Sequence, residues 1–156
     1  MRRWLPLGLV AAAAAAALPL LIVPGSPASA DGVPPVAVED FAYPNADEIF
    51  ADTGIRLISG DGNITLTACG PTGLIEVHAR DREKFCFSVR GASGRVAMEV
   101  EAVYGIKGAD YEMTADMTVE GTETSYEVDP NSWTAVGETA DPEERDHTLV
   151  ELRTTK

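Results

Sequence analysis

Three side chains with acid or base chemistry share one face of a predicted strand over residues 74–80. Glu76, His78 and Arg80 alternate with apolar residues, and side chains two positions apart in a strand lie on the same face. A carboxylate beside an imidazole can transfer protons, so an acid–base cluster is one interpretation. The other is a solvated charged face, which we favour because no nucleophile motif or metal-ligand pair accompanies these residues. His147, the other histidine, is isolated, and we predict no catalytic residue.

Oxygen-rich side chains occur in two turns, where a hard cation such as calcium finds its preferred ligands. Asp61 and Asn63 lie in a glycine-rich turn. The second group lies in one charged loop and consists of Asp141, Glu143, Glu144 and Asp146. Neither group has the spacing of a helix-loop-helix calcium site. Turn chemistry explains the first and solvation the second, so we expect no cofactor and keep calcium as an alternative.

Ligand recognition would need exposed aromatic side chains, and few are present. Residues 104–108 read Tyr-Gly-Ile-Lys-Gly, which predicts a glycine-bounded loop that carries Tyr104 and Ile106. Trp133 lies beside a turn at residues 129–131. One interpretation makes Tyr104, Ile106 and Trp133 a binding surface. The alternative is that they fold inward and cover the end of the core.

The first 30 residues have the three parts of a secretory signal peptide. Arg2 and Arg3 are followed by an apolar run over residues 4–23, and residues 28–30 (Ala-Ser-Ala) form a small-residue cleavage site. Prolines interrupt the apolar run, which argues against an uncleaved membrane helix. We therefore predict a secreted, extracellular protein whose mature chain begins at Asp31, with the general secretory and twin-arginine export routes both open.

The only two cysteines, Cys69 and Cys86, lie in the first and third of three predicted strands, over residues 64–69, 74–80 and 85–90. In an exported chain this pair predicts a disulfide. In a simple meander those strands would be about 10 Å apart, whereas a disulfide spans about 7 Å between α-carbons. We therefore expect the middle strand to leave the sheet, with the cysteine strands as neighbours, or a bridge between two sheets. Both cysteines fall on the more polar face, which favours neighbouring strands or a bulge that resets the alternation.

Alternating apolar and polar stretches separated by turns run through the rest of the chain. The two clearest cover residues 96–101 and 111–120, where Val, Met and Ala alternate with Glu, Asp and Thr. Further strands are predicted over residues 55–58, 124–128, 133–136 and 148–152. This pattern predicts an all-β fold, a single antiparallel β-sandwich or jelly roll of about eight strands. We assign residues 31–44 to an extended lead and residues 45–156 to the sandwich domain.

A short helical turn is expected near the mature N-terminus. Asn45 lies where an N-cap residue would, and Glu48 three residues later would complete a capping box. Ile49 and Phe50 would form the apolar side that packs on the sandwich.

The chain of 156 residues carries 25 acidic and 12 basic residues, a net charge of −13 at pH 7. Loss of residues 1–30 would remove two basic and no acidic residues, which leaves −15 on the mature chain. Such a charge repels nucleic acid and anionic lipid, so we expect neither nucleic acid nor a membrane as a partner after signal cleavage. A protein or a polysaccharide remains, and the oligomeric state is open.

Four short motifs resemble short exported actinobacterial proteins of unknown function. They are GDGNI at residues 60–64 leading to Cys69, KFCF at 84–87, VYGIKG at 103–108 and WTAVGE at 133–138. The resemblance covers residues 45–153 and implies export, a disulfide and a β-rich domain. It implies no cofactor and no catalytic residue.

These observations predict a secreted, non-enzymatic β-sandwich that recognises a protein or polysaccharide through its loops. The alternatives are a small secreted hydrolase and a structural domain stabilised by calcium. A glycosidase would show two carboxylates about 5–10 Å apart in a cleft, whereas a recognition domain would show an exposed aromatic patch.

Overall fold

The computed structural model describes residues 41–70 and 72–156. The predicted signal peptide and most of the predicted lead lie outside these residues. In chain order the described elements are α1 (Ala46–Thr53), β1 (Arg56–Gly60), β2 (Ile64–Thr67), β3 (Ile75–Ala79), β4 (Phe85–Val89), β5 (Ser93–Val100), β6 (Val103–Lys107), β7 (Glu112–Val119), β8 (Thr122–Val128), β9 (Trp133–Ala135), a 3₁₀ turn (Gly137–Thr139) and β10 (Thr148–Thr155). In the part of the chain that the structure describes, no helix has the length and apolar character needed to cross a bilayer.

The strands form two five-stranded sheets in which every pair is antiparallel. The first sheet has the order β1-β5-β10-β7-β8, and the second has the order β2-β4-β3-β6-β9. This architecture confirms the predicted all-β sandwich.

Apolar side chains from both sheets form a single core between them. The first sheet buries Val96, Met98 and Val100 on β5 and Met113, Ala115 and Met117 on β7, as the alternation predicts. The second sheet contributes Ile64, Ile75, Val77, Phe87, Val103 and Ile106. Each large apolar side chain that is fully buried stabilises the fold by about 1.5–3 kcal/mol relative to an exposed one. The core therefore fixes which residues of each strand face outward.

The predicted helical turn is present as α1, but the predicted capping box is wrong. Asn45 has a left-handed backbone (φ 58°) and makes no side-chain bond to the helix. A side-chain N-cap normally requires an extended backbone at this position, so Asn45 cannot act as predicted. Ile49 packs against the core as expected. Phe50 does not, since it is 44% exposed and its ring lies under the Arg56 guanidinium, 4.7 Å from the ring centroid.

The predicted disulfide is confirmed, with the α-carbons of Cys69 and Cys86 5.2 Å apart. The cysteine strands are neighbours, because β2 pairs with β4 and Thr67 lies opposite Cys86. The expectation that the middle strand leaves the sheet is wrong, since β3 pairs with the other side of β4. The third strand along the chain inserts between the first two, which brings the cysteines within reach while all three strands stay in one sheet.

The predicted loop at residues 104–108 is wrong, because most of it belongs to β6. This strand pairs with β3 on one side and β9 on the other, and Ile106 is fully buried between the sheets. The two glycines that suggested a loop serve close packing instead. A β-carbon at Gly108 would overlap the carbonyl oxygen of Asp129, and one at Gly105 would overlap the ring of Trp133.

Candidate functional site

Three aromatic rings meet on the outer face of the second sheet, where β3, β6 and β9 run side by side. His78 comes from β3, Tyr104 from β6 and Trp133 from β9. The ring centroids of His78 and Trp133 are 4.7 Å apart at an interplanar angle of 74°, and that of Tyr104 lies 6.2 Å from His78 and 6.1 Å from Trp133. Edge-to-face pairs at such separations add about 0.5–1.5 kcal/mol to simple burial. We call these three residues the aromatic face.

A β-bulge in β6 places Tyr104 on the outer side. His78 lies opposite Gly105, but the next residue of β3, Ala79, lies opposite Val103, so β6 has one extra residue between them. Such a bulge breaks the strict alternation of a strand. It allows Val103 and Ile106 both to point into the core while Tyr104 stays half-buried beside His78.

Gly105 lets Trp133 lie against the sheet. The six-membered ring of Trp133 occupies the space that a side chain at residue 105 would need. The backbone of Gly105 is not in the left-handed region, so the absence of a side chain, rather than backbone freedom, is what the site uses. Trp133 is nevertheless 47% exposed, which makes it the main apolar surface of the aromatic face.

A row of directly opposed residues crosses the whole second sheet and ends at Trp133. From β2 to β9 it consists of Thr67, Cys86, Glu76, Lys107 and Trp133. Opposed residues of paired strands project on the same face, and four strand spacings span about 19 Å. We call this set the cross-sheet row. It joins the aromatic face to a polar strip on the same side of the sheet.

Glu76, in the centre of the cross-sheet row, is held by two lysines. Lys84 Nζ donates to Glu76 Oε2 at 2.5 Å, and Lys107 Nζ donates to Oε1 at 3.0 Å. These ammonium groups hold the pKa of Glu76 below its ordinary value of 4.5. The carboxylate therefore stays charged at neutral pH and binds both lysine side chains, of which Lys107 lies directly opposite Trp133.

Two opposing effects act on the pKa of His78, namely the nearby Glu76 carboxylate and burial. Its Nε2 lies 3.8 Å from Glu76 Oε2, a contact that favours the imidazolium. Burial has the larger effect and lowers the pKa of His78 below its ordinary value of 6.5. His78 is therefore neutral at pH 7 and acts as an aromatic ring that supports Trp133.

Arg80 and Glu138 form an ion pair where β3 ends. Arg80 is two residues after His78 in the sequence, and Glu138 belongs to the 3₁₀ turn. The second carboxylate oxygen of Glu138 is buried without a hydrogen-bond partner among the described residues. The three acid–base residues singled out in the sequence thus become two separate ion-pair groups rather than one proton-transfer cluster.

The Glu76 carboxylate is not suited to act as a general acid. Glu76 is kept ionised by the lysines, so it lacks the proton that a general acid must donate. Glu76 is four positions before Arg80, the partner of Glu138, and four positions span about 13 Å along an extended chain. The carboxylate pair of a glycosidase is about 5–10 Å apart. The same face offers instead a hydrogen-bond acceptor, two lysine donors and an exposed indole.

The two predicted calcium groups have other partners. Both Asp141 oxygens accept bonds from Arg145, with Nε at 2.7 Å, and the Arg145 guanidinium lowers the pKa of Asp141 to about 2. Asp61 Oδ1 accepts the backbone N–H of Asn63 at 2.9 Å, as an ordinary turn requires. Across residues 41–70 and 72–156, no three His, Cys, Asp or Glu side chains converge on a metal position. Calcium stays a prediction that this geometry does not favour.

The structure brings together part of the predicted binding set. Tyr104 and Trp133 are neighbours on one face, whereas Ile106 is a core residue and is not available to a ligand. Gly105 and Lys107 were not singled out by the sequence, although glycine between two β-forming residues is a signal of close approach. His78 was interpreted as part of a charged face, and its contact with Trp133 depends on strand order that the sequence does not show.

Comparison with protein-family models and with curated proteins gives no match.

Proposed function

We propose that this protein is a secreted recognition domain that binds its ligand on the aromatic face and catalyses no reaction. The observation that carries the proposal is the half-exposed indole of Trp133, seated over Gly105 and supported by the rings of His78 and Tyr104. Aromatic side chains held in one orientation are the usual anchors of recognition surfaces, because little conformational entropy is lost when they bind.

Export is part of this proposal. The signal-like residues 1–30 motivate it, and the Cys69–Cys86 disulfide is compatible with an oxidising compartment. The ligand would meet the protein outside the cell, on the strands of the second sheet rather than on the loops that the sequence suggested.

The two alternative functions have no observation in their favour. A hydrolase would need a carboxyl group that can donate a proton, and Glu76 is held in the ionised form. A calcium-stabilised domain would need free oxygens at residues 141–146, where Arg145 already binds the most buried carboxylate.

The experiment compares two aromatic truncations of similar exposure. Wild-type protein is recovered from culture medium, its N-terminus is verified as Asp31, and it is immobilised beside Trp133→Ala and Phe50→Ala. Phe50 is 44% exposed and Trp133 47%, but Phe50 lies on α1, outside the aromatic face. Each column is then exposed to the soluble and insoluble extracellular material of the secreting culture.

We expect wild type and Phe50→Ala to retain the same material and Trp133→Ala to lose it. Truncation of a recognition anchor costs about 2 kcal/mol or more, or roughly thirtyfold in affinity. Equal retention by Trp133→Ala, or loss by Phe50→Ala alone, would mean that the aromatic face is not the binding surface.

A further inference from the structure

The cross-sheet row and the aromatic face together indicate which ligand class the surface fits. We propose that this surface binds an uncharged polysaccharide, with a sugar ring stacked on Trp133 and its hydroxyl groups bonded to Lys107 and Glu76. This inference rests on the proposed function, since it names the ligand of the same site.

The first argument concerns the combination of an apolar ring with fixed polar groups. One face of a sugar ring presents C–H groups, which pack on an aromatic surface, while its hydroxyls need both donors and acceptors at the rim. Lys107 lies directly opposite Trp133 in the β6–β9 pair, and Glu76 lies directly opposite Lys107 in the β3–β6 pair. Along the cross-sheet row, the Lys107 donor therefore comes next to Trp133, and the Glu76 acceptor comes next to Lys107.

The second argument concerns unused hydrogen-bonding capacity. An ammonium group has three N–H donors, and the described contacts of Lys84 and Lys107 each use one, to Glu76. Both lysines are about two-fifths exposed, at 42% and 41% of their side chains. Glu76 holds them in place, so their remaining donors point from a fixed position rather than from freely moving side chains.

The third argument concerns charge. The chain carries −13 overall, so a polyanionic polysaccharide would be repelled at a distance. Within the site, one carboxylate and two ammonium groups leave a single net positive charge, which is small against the negative charge of the whole chain. An uncharged polymer pays no such electrostatic cost and needs only the groups that the row offers.

The fourth argument weighs a protein partner against a polysaccharide. A protein interface is depleted of Lys and Glu at its centre, because those groups lose their hydration when they are buried. Here Lys107 lies directly opposite the principal aromatic residue, Trp133, and is bonded to Glu76, which also binds Lys84. A polysaccharide leaves such groups hydrated or replaces their water by hydroxyls, so it suits this surface better.

The test identifies the class of the retained material without knowing which sugar it contains. Material held by the wild-type column is treated with hot dilute acid, which hydrolyses glycosidic bonds, or with protease, and is then offered again to fresh columns. We expect acid hydrolysis to abolish retention and protease to leave it intact. We also expect retention to change less than about twofold between 50 and 200 mM salt. An uncharged polysaccharide forms no ion pair with the protein, so added salt has no attraction to screen.

A second measurement reports directly on the site. Trp4 and Trp133 are the only tryptophans, so after removal of residues 1–30 all indole emission comes from Trp133. Titration with uncharged oligosaccharides of glucose, xylose, mannose and N-acetylglucosamine should give a saturable change in this emission for at least one sugar. Gly105→Ala should keep the emission but lose the response, because a methyl group at residue 105 displaces the ring.

The outcomes separate the two proposals. Material that is retained in a Trp133-dependent way but is destroyed by protease would leave the recognition function standing and overturn the polysaccharide. Retention that collapses with salt would overturn the uncharged class in favour of a polyanion. Failure of the Trp133→Ala comparison itself would remove the recognition function, and the polysaccharide with it.

Discussion

The outer face of the first sheet holds three arginines that are each bound by a carboxylate, whereas the outer face of the second sheet carries three aromatic rings. The ion pairs are Arg56 with Glu99, Arg95 with Glu151 and Arg153 with Asp116, at 3.1, 2.6 and 2.6 Å. On the first sheet the charges satisfy one another, so little is left for a ligand. On the second, an apolar ring stays half-exposed beside donors with spare capacity. The two outer faces of the sandwich thus differ in how much side-chain bonding capacity they leave unused.

One source of the difference is the geometry of β6. On β5 and β7 of the first sheet, the apolar residues from Val96 to Val100 and from Met113 to Val119 alternate with polar ones that face outward. On β6 of the second sheet, the bulge at Tyr104 and the missing side chain at Gly105 make room for the rings. A single extra residue and a single glycine thus give the three rings their positions on the outer face.

The largest expected effect concerns the bridge that only the second sheet possesses. Replacing both Cys69 and Cys86 with alanine should lower the free energy of unfolding by about 3 kcal/mol, because the bridge closes a loop with a sequence separation of 17. The melting temperature, followed by circular dichroism, should fall on the order of 10 °C. Native, unreduced protein should contain no titratable thiol. An unchanged melting temperature in the double variant would show that the second sheet does not depend on the bridge.

A smaller effect is expected on the first sheet, where two arginine truncations form a matched pair. Arg153→Ala leaves Asp116, which is 5% exposed, with only the Ser125 hydroxyl at 2.6 Å, and should cost about 1–3 kcal/mol. Arg56→Ala breaks a pair whose partners are both more than half exposed and should cost about 0–1 kcal/mol. Urea denaturation measures both. Neither variant should alter Trp133 emission, and equal costs would mean that burial of Asp116 contributes nothing.

Much of the fold was predictable because alternation reports burial directly. The strands of the first sheet with strict alternation, β5 and β7, were found with their core residues correct. The sequence-based predictions were wrong where local residue preferences conflict with strand pairing. Glycines at residues 105 and 108 indicated a loop, but the pairing of β6 on both sides decided the outcome.

The site was predictable only in its side-chain types. Tyr104 and Trp133 were chosen because large aromatic residues dominate recognition, and this choice needed no knowledge of the fold. Their meeting with His78 depends on the order β3-β6-β9, which joins residues far apart in the sequence. Neither composition nor periodicity carries that information, because strand order is decided by the whole core.

The smallest predicted effect is a change in Trp133 emission when His78 becomes protonated. The three ion pairs of the first sheet contain no histidine, so that face has no such response. The centroid of His78 lies 4.7 Å from that of Trp133, and an imidazolium at this distance quenches indole emission by accepting an electron from the excited ring. Burial lowers the pKa of His78 below its ordinary value of 6.5. Emission of the protein without residues 1–30, in which Trp133 is the remaining tryptophan, should therefore stay constant above pH 7 and fall at a midpoint below pH 6.5.

The lowered pKa of His78 also makes the stability of the fold depend on pH. Because the pKa of His78 is lower in the folded chain, the unfolded chain binds the proton first as the pH falls. The contribution of neutral His78 to stability is complete above about pH 6.5 and is lost as the pH falls through the folded-state pKa. His78→Gln should abolish the emission change, whereas His147→Gln should preserve it, since His147 contacts Tyr126 instead. An emission change that survives in His78→Gln would mean that His78 does not support Trp133, and the two outer faces would then differ by one exposed indole rather than by an assembled site.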